Sequence, residues 1–132
     1  MKRSFSVLLA EPNMVLREKI ASILAGHDCV WCVVQVCGKE GLERGAGRIQ
    51  PDLILADLKV LKESDVVRFL RRVSAASKIV ALTESETTPY VEAAKRLGVD
   101  GCMEKGRACD GIRDLILRLY AANSEAMKGE PA

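Results

Sequence analysis

Three polar residues stand at the ends of apolar, strand-like runs, and together they could handle a phosphoryl group. Asp57 closes Asp52-Leu53-Ile54-Leu55-Ala56-Asp57, Thr83 closes Lys78-Ile79-Val80-Ala81-Leu82-Thr83, and Lys105 follows Gly101-Cys102-Met103-Glu104. A carboxylate is a nucleophile toward phosphorus, an ammonium neutralises phosphoryl oxygens, and a hydroxyl donates to them. On neighbouring parallel strands the three groups would share one pocket. An earlier run, Phe5 to Ala10, ends in Glu11-Pro12. Glu11 supplies a second acid, but Pro12 stands where a further metal-binding acid would be useful.

The elements that must position these groups alternate strand and helix five times. Strands are expected over Phe5–Ala10, Val30–Val36, a run ending at Asp57, a run ending at Thr83, and Gly101–Glu104. The first helix carries Val15, Leu16, Ile20, Ile23 and Leu24 on one stripe and stops near Gly26. A second spans Lys39 to Arg48, weakened by three glycines, and a third Ser64 to Ser74. The fourth starts with Thr88 as cap and Pro89 in the first helical position and closes at Gly98. The fifth buries Ile112, Leu115, Ile116 and Leu119. Strict alternation predicts an α/β fold, a doubly wound five-stranded parallel sheet with helices on both faces. Ligand sites in such sheets lie beyond the carboxyl ends of the strands, which places Glu11, Asp57, Thr83 and Lys105 on one rim.

The 132 residues suit one domain, with 48% hydrophobic and 29% charged residues, near the globular average. No apolar stretch is long enough to span a bilayer, and Val7-Leu8-Leu9-Ala10 is too short for a secretory signal. A net charge of +2 gives no reason to expect direct nucleic-acid binding. Five cysteines without secretory features suggest reduced thiols and a cytoplasmic setting. Cys29-x-x-Cys32 falls in a strand-like run, where odd spacing sends its thiols to opposite faces, so a metal or redox role is not expected. The domain is expected over residues 1–122, with 123–132 a flexible tail or the start of a linker.

The whole pattern, from Ser4 to Ala122, resembles a response-regulator receiver domain of two-component signalling. The matching pieces are Val7-Leu8-Leu9-Ala10-Glu11, Pro51-Asp52-Leu53-Ile54-Leu55-Ala56-Asp57-Leu58, Ile79-Val80-Ala81-Leu82-Thr83 and Leu97-Gly98-Val99-Asp100-Gly101-Cys102-Met103-Glu104-Lys105. The resemblance implies a flavodoxin-like sheet of order 2-1-3-4-5. It also implies that Asp57 accepts a phosphoryl group from a sensor histidine kinase or phosphotransfer protein, with Lys105 and Thr83 contacting that group. Mg²⁺ would be held by Glu11, Asp57 and the backbone carbonyl of Lys59. Readout would use the face of the fourth helix, fifth strand and fifth helix, the usual homodimer surface. Arg96, Asp100, Arg113, Asp114 and Arg118 are candidates for intersubunit pairs there.

Several departures bear on function. Receivers carry two consecutive acids after the first strand; Pro12 replaces one, which should weaken Mg²⁺ binding, although Asn13 offers a neutral oxygen. Glu84 follows Thr83 where the family has Ala or Gly, and could repel a phosphodonor or partly replace the lost acid. Cys102 stands where many receivers hold a switch aromatic. Leu58 to Asp65 lacks the usual Met-Pro and Asp-Gly, and Gly106 replaces a Pro. These differences motivate an alternative, a phosphorylation-independent pseudo-receiver that acts as a protein-interaction module. An enzyme is not expected. An aspartyl-nucleophile phosphatase needs a second Asp two residues on, where this chain has Lys59, and neither a P-loop nor a dinucleotide fingerprint is present.

Overall fold

The computed structural model describes residues 5–128, and side chains as far as residue 121. Five strands, β1 (Phe5–Ala10), β2 (Val30–Val36), β3 (Leu53–Asp57), β4 (Lys78–Thr83) and β5 (Gly101–Glu104), form one sheet in the order β2-β1-β3-β4-β5. Every neighbouring pair is parallel. The expected fold class and strand order are both found.

Side-chain alternation divides the core into two layers. Phe5, Val7, Leu9, Leu53, Leu55, Val80 and Leu82 pack with α1 (Met14–Ala25) and α6 (Ala108–Lys128). Leu8, Ala10, Ile54, Ala56, Ile79 and Ala81 face α2 (Lys39–Ile49), α3 (Leu58–Leu61), α4 (Val66–Val73) and α5 (Thr88–Leu97). Because β1, β3 and β4 are covered on both sides, their sequences are almost unbroken apolar runs. Leu8, Leu9, Ile54 and Leu55 are fully buried, each worth about 1.5–3 kcal/mol of apolar transfer.

The expected third helix begins two residues later than its sequence pattern suggested, at Val66, after Asp65 in a left-handed conformation (φ 60°). Upstream, Leu58, Val60 and Leu61 are buried and make the short turn α3. Without the Pro and Gly of the usual loop, nothing in this segment opposes helix. The expected fourth and fifth helices are therefore α5 and α6. The cap of α5 is Thr87, with Thr88 and Pro89 inside the helix. Ser85 Oγ accepts the Thr87 N–H, and the Thr87 carbonyl accepts from Tyr90 and Val91, which starts the helix one residue early.

The glycines of α2 sit where the helix approaches the sheet closely. A Cβ on Gly41 would lie 2.9 Å from Val36 Cβ, and one on Gly45 3.0 Å from Leu8 Cδ1. On β2 the register skips from Phe5–Val30 to Ser6–Cys32, which makes the exposed Trp31 a bulge. That bulge breaks the simple alternation assumed for Cys29 and Cys32. Cys29 is buried, with its Sγ 3.3 Å from His27 Nδ1, and Cys32 is half-buried. α6 continues to Lys128, so composition placed the tail boundary at Ala122 inside a helix. Residues 129–132 lie outside the described residues.

Candidate functional site

The carboxyl ends of β1, β3, β4 and β5 bring Glu11, Asp57, Thr83 and Lys105 to one rim. Strand alternation explains which groups converge. Glu11 continues the face of Leu9, and Asp57 that of Leu55; Leu82 is the register partner of Asp57. Continued one step past β4, the same face falls to Glu84.

Lys105 Nζ is the hub. It donates to Asp57 Oδ2, lies 3.0 Å from Glu11 Oε1, and 3.2 Å from Glu84 Oε2. Three carboxylates from three chain segments surround it, of which Asp57 accepts a hydrogen bond and Glu11 and Glu84 are ion-paired. Glu11 Oε1 is buried and, although ion-paired, receives no well-directed hydrogen bond. Burial pushes the Lys105 pKa down, but close contacts with Asp57 and Glu11, the Asp57 charge and the contact with Glu84 outweigh it and hold the pKa well above the ordinary lysine value.

The other oxygens of the buried acids are also engaged. Asp57, 3% exposed, caps α3: its Oδ1 accepts the N–H of Lys59 at 2.6 Å and of Val60 at 3.3 Å. Glu11 Oε2 accepts the Asn13 N–H at 2.9 Å, and Arg17 donates to the Glu11 carbonyl at 2.8 Å. Asn13 does not turn its side-chain oxygen to the site; Oδ1 caps α1 through the Leu16 N–H at 3.0 Å. Sequence reasoning missed Arg17, which has no motif of its own. Only the turn of α1 carries it back to the rim.

Thr83 is buried at the rim, but its hydroxyl donates to the Ser85 carbonyl at 2.9 Å, within the β4–α5 loop. Thr83, Val91, Cys102, Met103 and Gly111 line an open hollow. Cys102 is exposed and leaves it without an aromatic ring. Of the charges suggested for an intersubunit face, Asp100 is committed within the chain. Its Oδ2 accepts from Arg71 at 3.1 Å and from the Ile79 N–H at 2.8 Å.

No family model matches the chain. Over 118 residues, 87% of the chain, it is 27% identical to the response regulator GacA of Pseudomonas aeruginosa and 29% identical to that of Pseudomonas viridiflava. It covers 55% of each, so the chain spans about half the length of the curated relatives it matches. The fold superposes on the receiver domain of a putative LuxO repressor protein from Vibrio parahaemolyticus with a TM-score of 0.78. Identity is 20%, over 98% of this chain and 100% of that one. In sequence and fold the chain is similar to response-regulator receiver domains. The non-phosphorylated receiver of the stress response regulator RcsB from Escherichia coli gives a TM-score of 0.79 at 15% identity, covering 91% of this chain and 95% of that one. At such identities the structural likenesses establish the fold alone.

Receiver domains generally bind Mg²⁺, and the donor set here fits a cation in part. Glu11 and Asp57 already converge on one cation, the Lys105 ammonium. Among the described residues, no three His, Cys, Asp or Glu side chains are gathered tightly enough to hold a metal ion as they stand. Glu11 and Asp57 would hold a divalent ion, which would supply positive charge where the ammonium now lies. Lys59 offers Asp57 its N–H. No described helix is long and apolar enough to cross a membrane.

Proposed function

We propose that this receiver accepts a phosphoryl group on Asp57 from the phosphohistidine of a sensor kinase or phosphotransfer protein, and signals by a conformational shift. The observation that carries the reading is the contact of a buried Asp57 with the Lys105 ammonium on the rim that also holds Thr83. An Asp57 oxygen attacks phosphorus, the phosphorus–nitrogen bond breaks, and imidazole leaves. Lys105 stays charged and pairs with the phosphoryl oxygens. Bound at Glu11 and Asp57, Mg²⁺ would supply further neutralisation of those oxygens. Pro12 removes one anionic donor and weakens that binding.

Thr83 provides the coupling outward. To donate to a phosphoryl oxygen its hydroxyl must leave the Ser85 carbonyl, which loosens the loop that starts α5. The shifted equilibrium is read at the α5–β5–α6 face, where a homodimer would form and where Leu117 is 48% exposed. The setting is cytoplasmic, with no direct nucleic-acid contact by this chain. Incubation with acetyl phosphate and Mg²⁺, followed by intact-mass and peptide analysis, tests the reading. The expected result is one phosphoryl group on Asp57 and none in Asp57→Asn; labelling that survives the substitution would overturn it.

One observation favours a second reading, a phosphorylation-independent interaction module. Both Asp57 oxygens and both Glu11 oxygens already face protein donors, so the two buried acids are partnered without any ligand. Strong stabilisation by beryllofluoride with Mg²⁺ would exclude it.

A further inference from the structure

Glu84 is the one acid in the site that the receiver pattern does not account for. Its carboxylate reaches Lys105 Nζ at 3.2 Å although its side chain is 52% exposed, whereas Glu11 and Asp57 are almost wholly buried. Three carboxylates crowd one ammonium within ion-pair distance, so an arriving phosphoryl oxygen competes with them for it. Asp57 and Glu11 are poor candidates for release, since each would become a buried, less compensated charge. Glu84 loses least, because water replaces the ammonium at its exposed end.

We propose that Glu84 is a resident anion that holds the place of the phosphoryl group on Lys105 and thereby selects against small free phosphodonors. This rests on the phosphoacceptor reading for its consequence, though not for the contact itself. Three carboxylates and one ammonium sum to a net charge near −2, with Arg17 on the Glu11 backbone carbonyl nearby. A small phosphodonor dianion meets that repulsion and must also evict Glu84. A phosphohistidine carried on a protein brings its own docking contacts to offset the cost. With acetyl phosphate the chemistry is simple: an Asp57 oxygen bonds to phosphorus, the phosphorus–oxygen bond to acetate breaks, and acetate leaves as the anion with the bonding pair.

The test compares wild type, Glu84→Gln and Glu84→Ala in two measurements, with circular dichroism confirming that each folds. The first is binding of inorganic phosphate, followed through the Lys105 and Glu84-region amides, which needs no covalent step. The second is the rate of Asp57 labelling by acetyl phosphate across a Mg²⁺ series. Removing the charge should raise both phosphate affinity and labelling rate by about tenfold, from one lost partly exposed ion pair and one relieved like-charge contact. Tighter phosphate binding with no labelling in any variant supports the resident anion and overturns the phosphoacceptor reading. Equal phosphate affinity in all three proteins overturns the proposal whatever the labelling does. Loss of Mg²⁺ affinity with slower labelling also overturns it, and makes Glu84 a metal ligand.

Discussion

Replacing Lys105 by Met should destabilise the chain and, at the same time, tighten its hold on Mg²⁺. The ammonium is the shared partner of Glu11, 1% exposed, and Asp57, 3% exposed. Met preserves most of the apolar stem and removes only the charge. Stranding one partner of a buried pair costs about 3–5 kcal/mol. The Lys105 side chain is 15% exposed, and its contact with half-exposed Glu84 adds little, so a loss of about 2–4 kcal/mol is expected. Urea unfolding at neutral pH without divalent ions measures it, and thermal unfolding should fall by roughly 10 °C for a domain of this size. The two stranded carboxylates then want a cation, so Mg²⁺ affinity, read from amide shifts near Asp57, should rise by about tenfold or more. Adding Glu11→Gln should restore a good part of the lost stability. Unchanged stability, or weaker Mg²⁺ binding in the Met variant, would refute the idea that ammonium and divalent ion compete for one place. Failure of the double variant to recover would assign the cost to packing of the lysine stem instead.

The remaining predictions concern the metal, the helix glycines and pH. Pro12→Asp restores an acid at an exposed position and should tighten Mg²⁺ binding by about tenfold while lowering metal-free stability slightly; no change in a Mg²⁺ titration would absolve Pro12. Gly41→Ala should cost about 1–3 kcal/mol in urea unfolding, because its Cβ meets Val36 Cβ at 2.9 Å. Gly47→Ala has open space around it and should gain about 0.5–1 kcal/mol; equal effects at the two positions would show that close packing does not explain them. The raised Lys105 pKa fixes the sign of a pH effect. Its stabilisation is complete below the unfolded value of about 10.4 and is lost only as pH climbs through the higher folded value. The stability gap between wild type and Lys105→Met should thus stay level from about pH 7 to 9 in repeated urea titrations, and narrowing in that window would contradict the assignment.

Strand order and the rim were legible because their signals are local and repeated. Leu53 to Ala56 and Ile79 to Leu82 are buried on both faces, so each advertises a central parallel strand without help from the rest of the chain. Boundaries were less legible where one side-chain contact decides them. Ser85 moved the cap of α5 to Thr87, and Asp65 in a left-handed conformation set the start of α4. The Trp31 bulge was invisible for the same reason: its apolar neighbours read as strand with or without an extra residue. Asp100 shows the limit for surface charges, since nothing in Gly98-Val99-Asp100-Gly101 announces a partner 29 positions earlier at Arg71.

Pro12 and Glu84 acquire a joint meaning once their places in the fold are known. The receiver pattern gathers its acids from the end of β1 and from Asp57, and Pro12 subtracts one. Glu84 adds one from the end of β4, on the same face as Asp57 by strand alternation and within 3.2 Å of the same ammonium. The count of acids around Lys105 is thereby kept while their placement changes. Charge attracts a cation over several ångströms, so the pull on Mg²⁺ depends mainly on the count. Mg²⁺ coordination and phosphoryl access depend on placement, because a hexacoordinate ion and a tetrahedral phosphorus both need open positions. An acid moved from the metal side of the pocket to its phosphoryl side preserves the first property and impairs the second. A chain altered in this way should still attract divalent ions to its rim and yet be slow with small phosphodonors. A pocket that had merely decayed would lose both together.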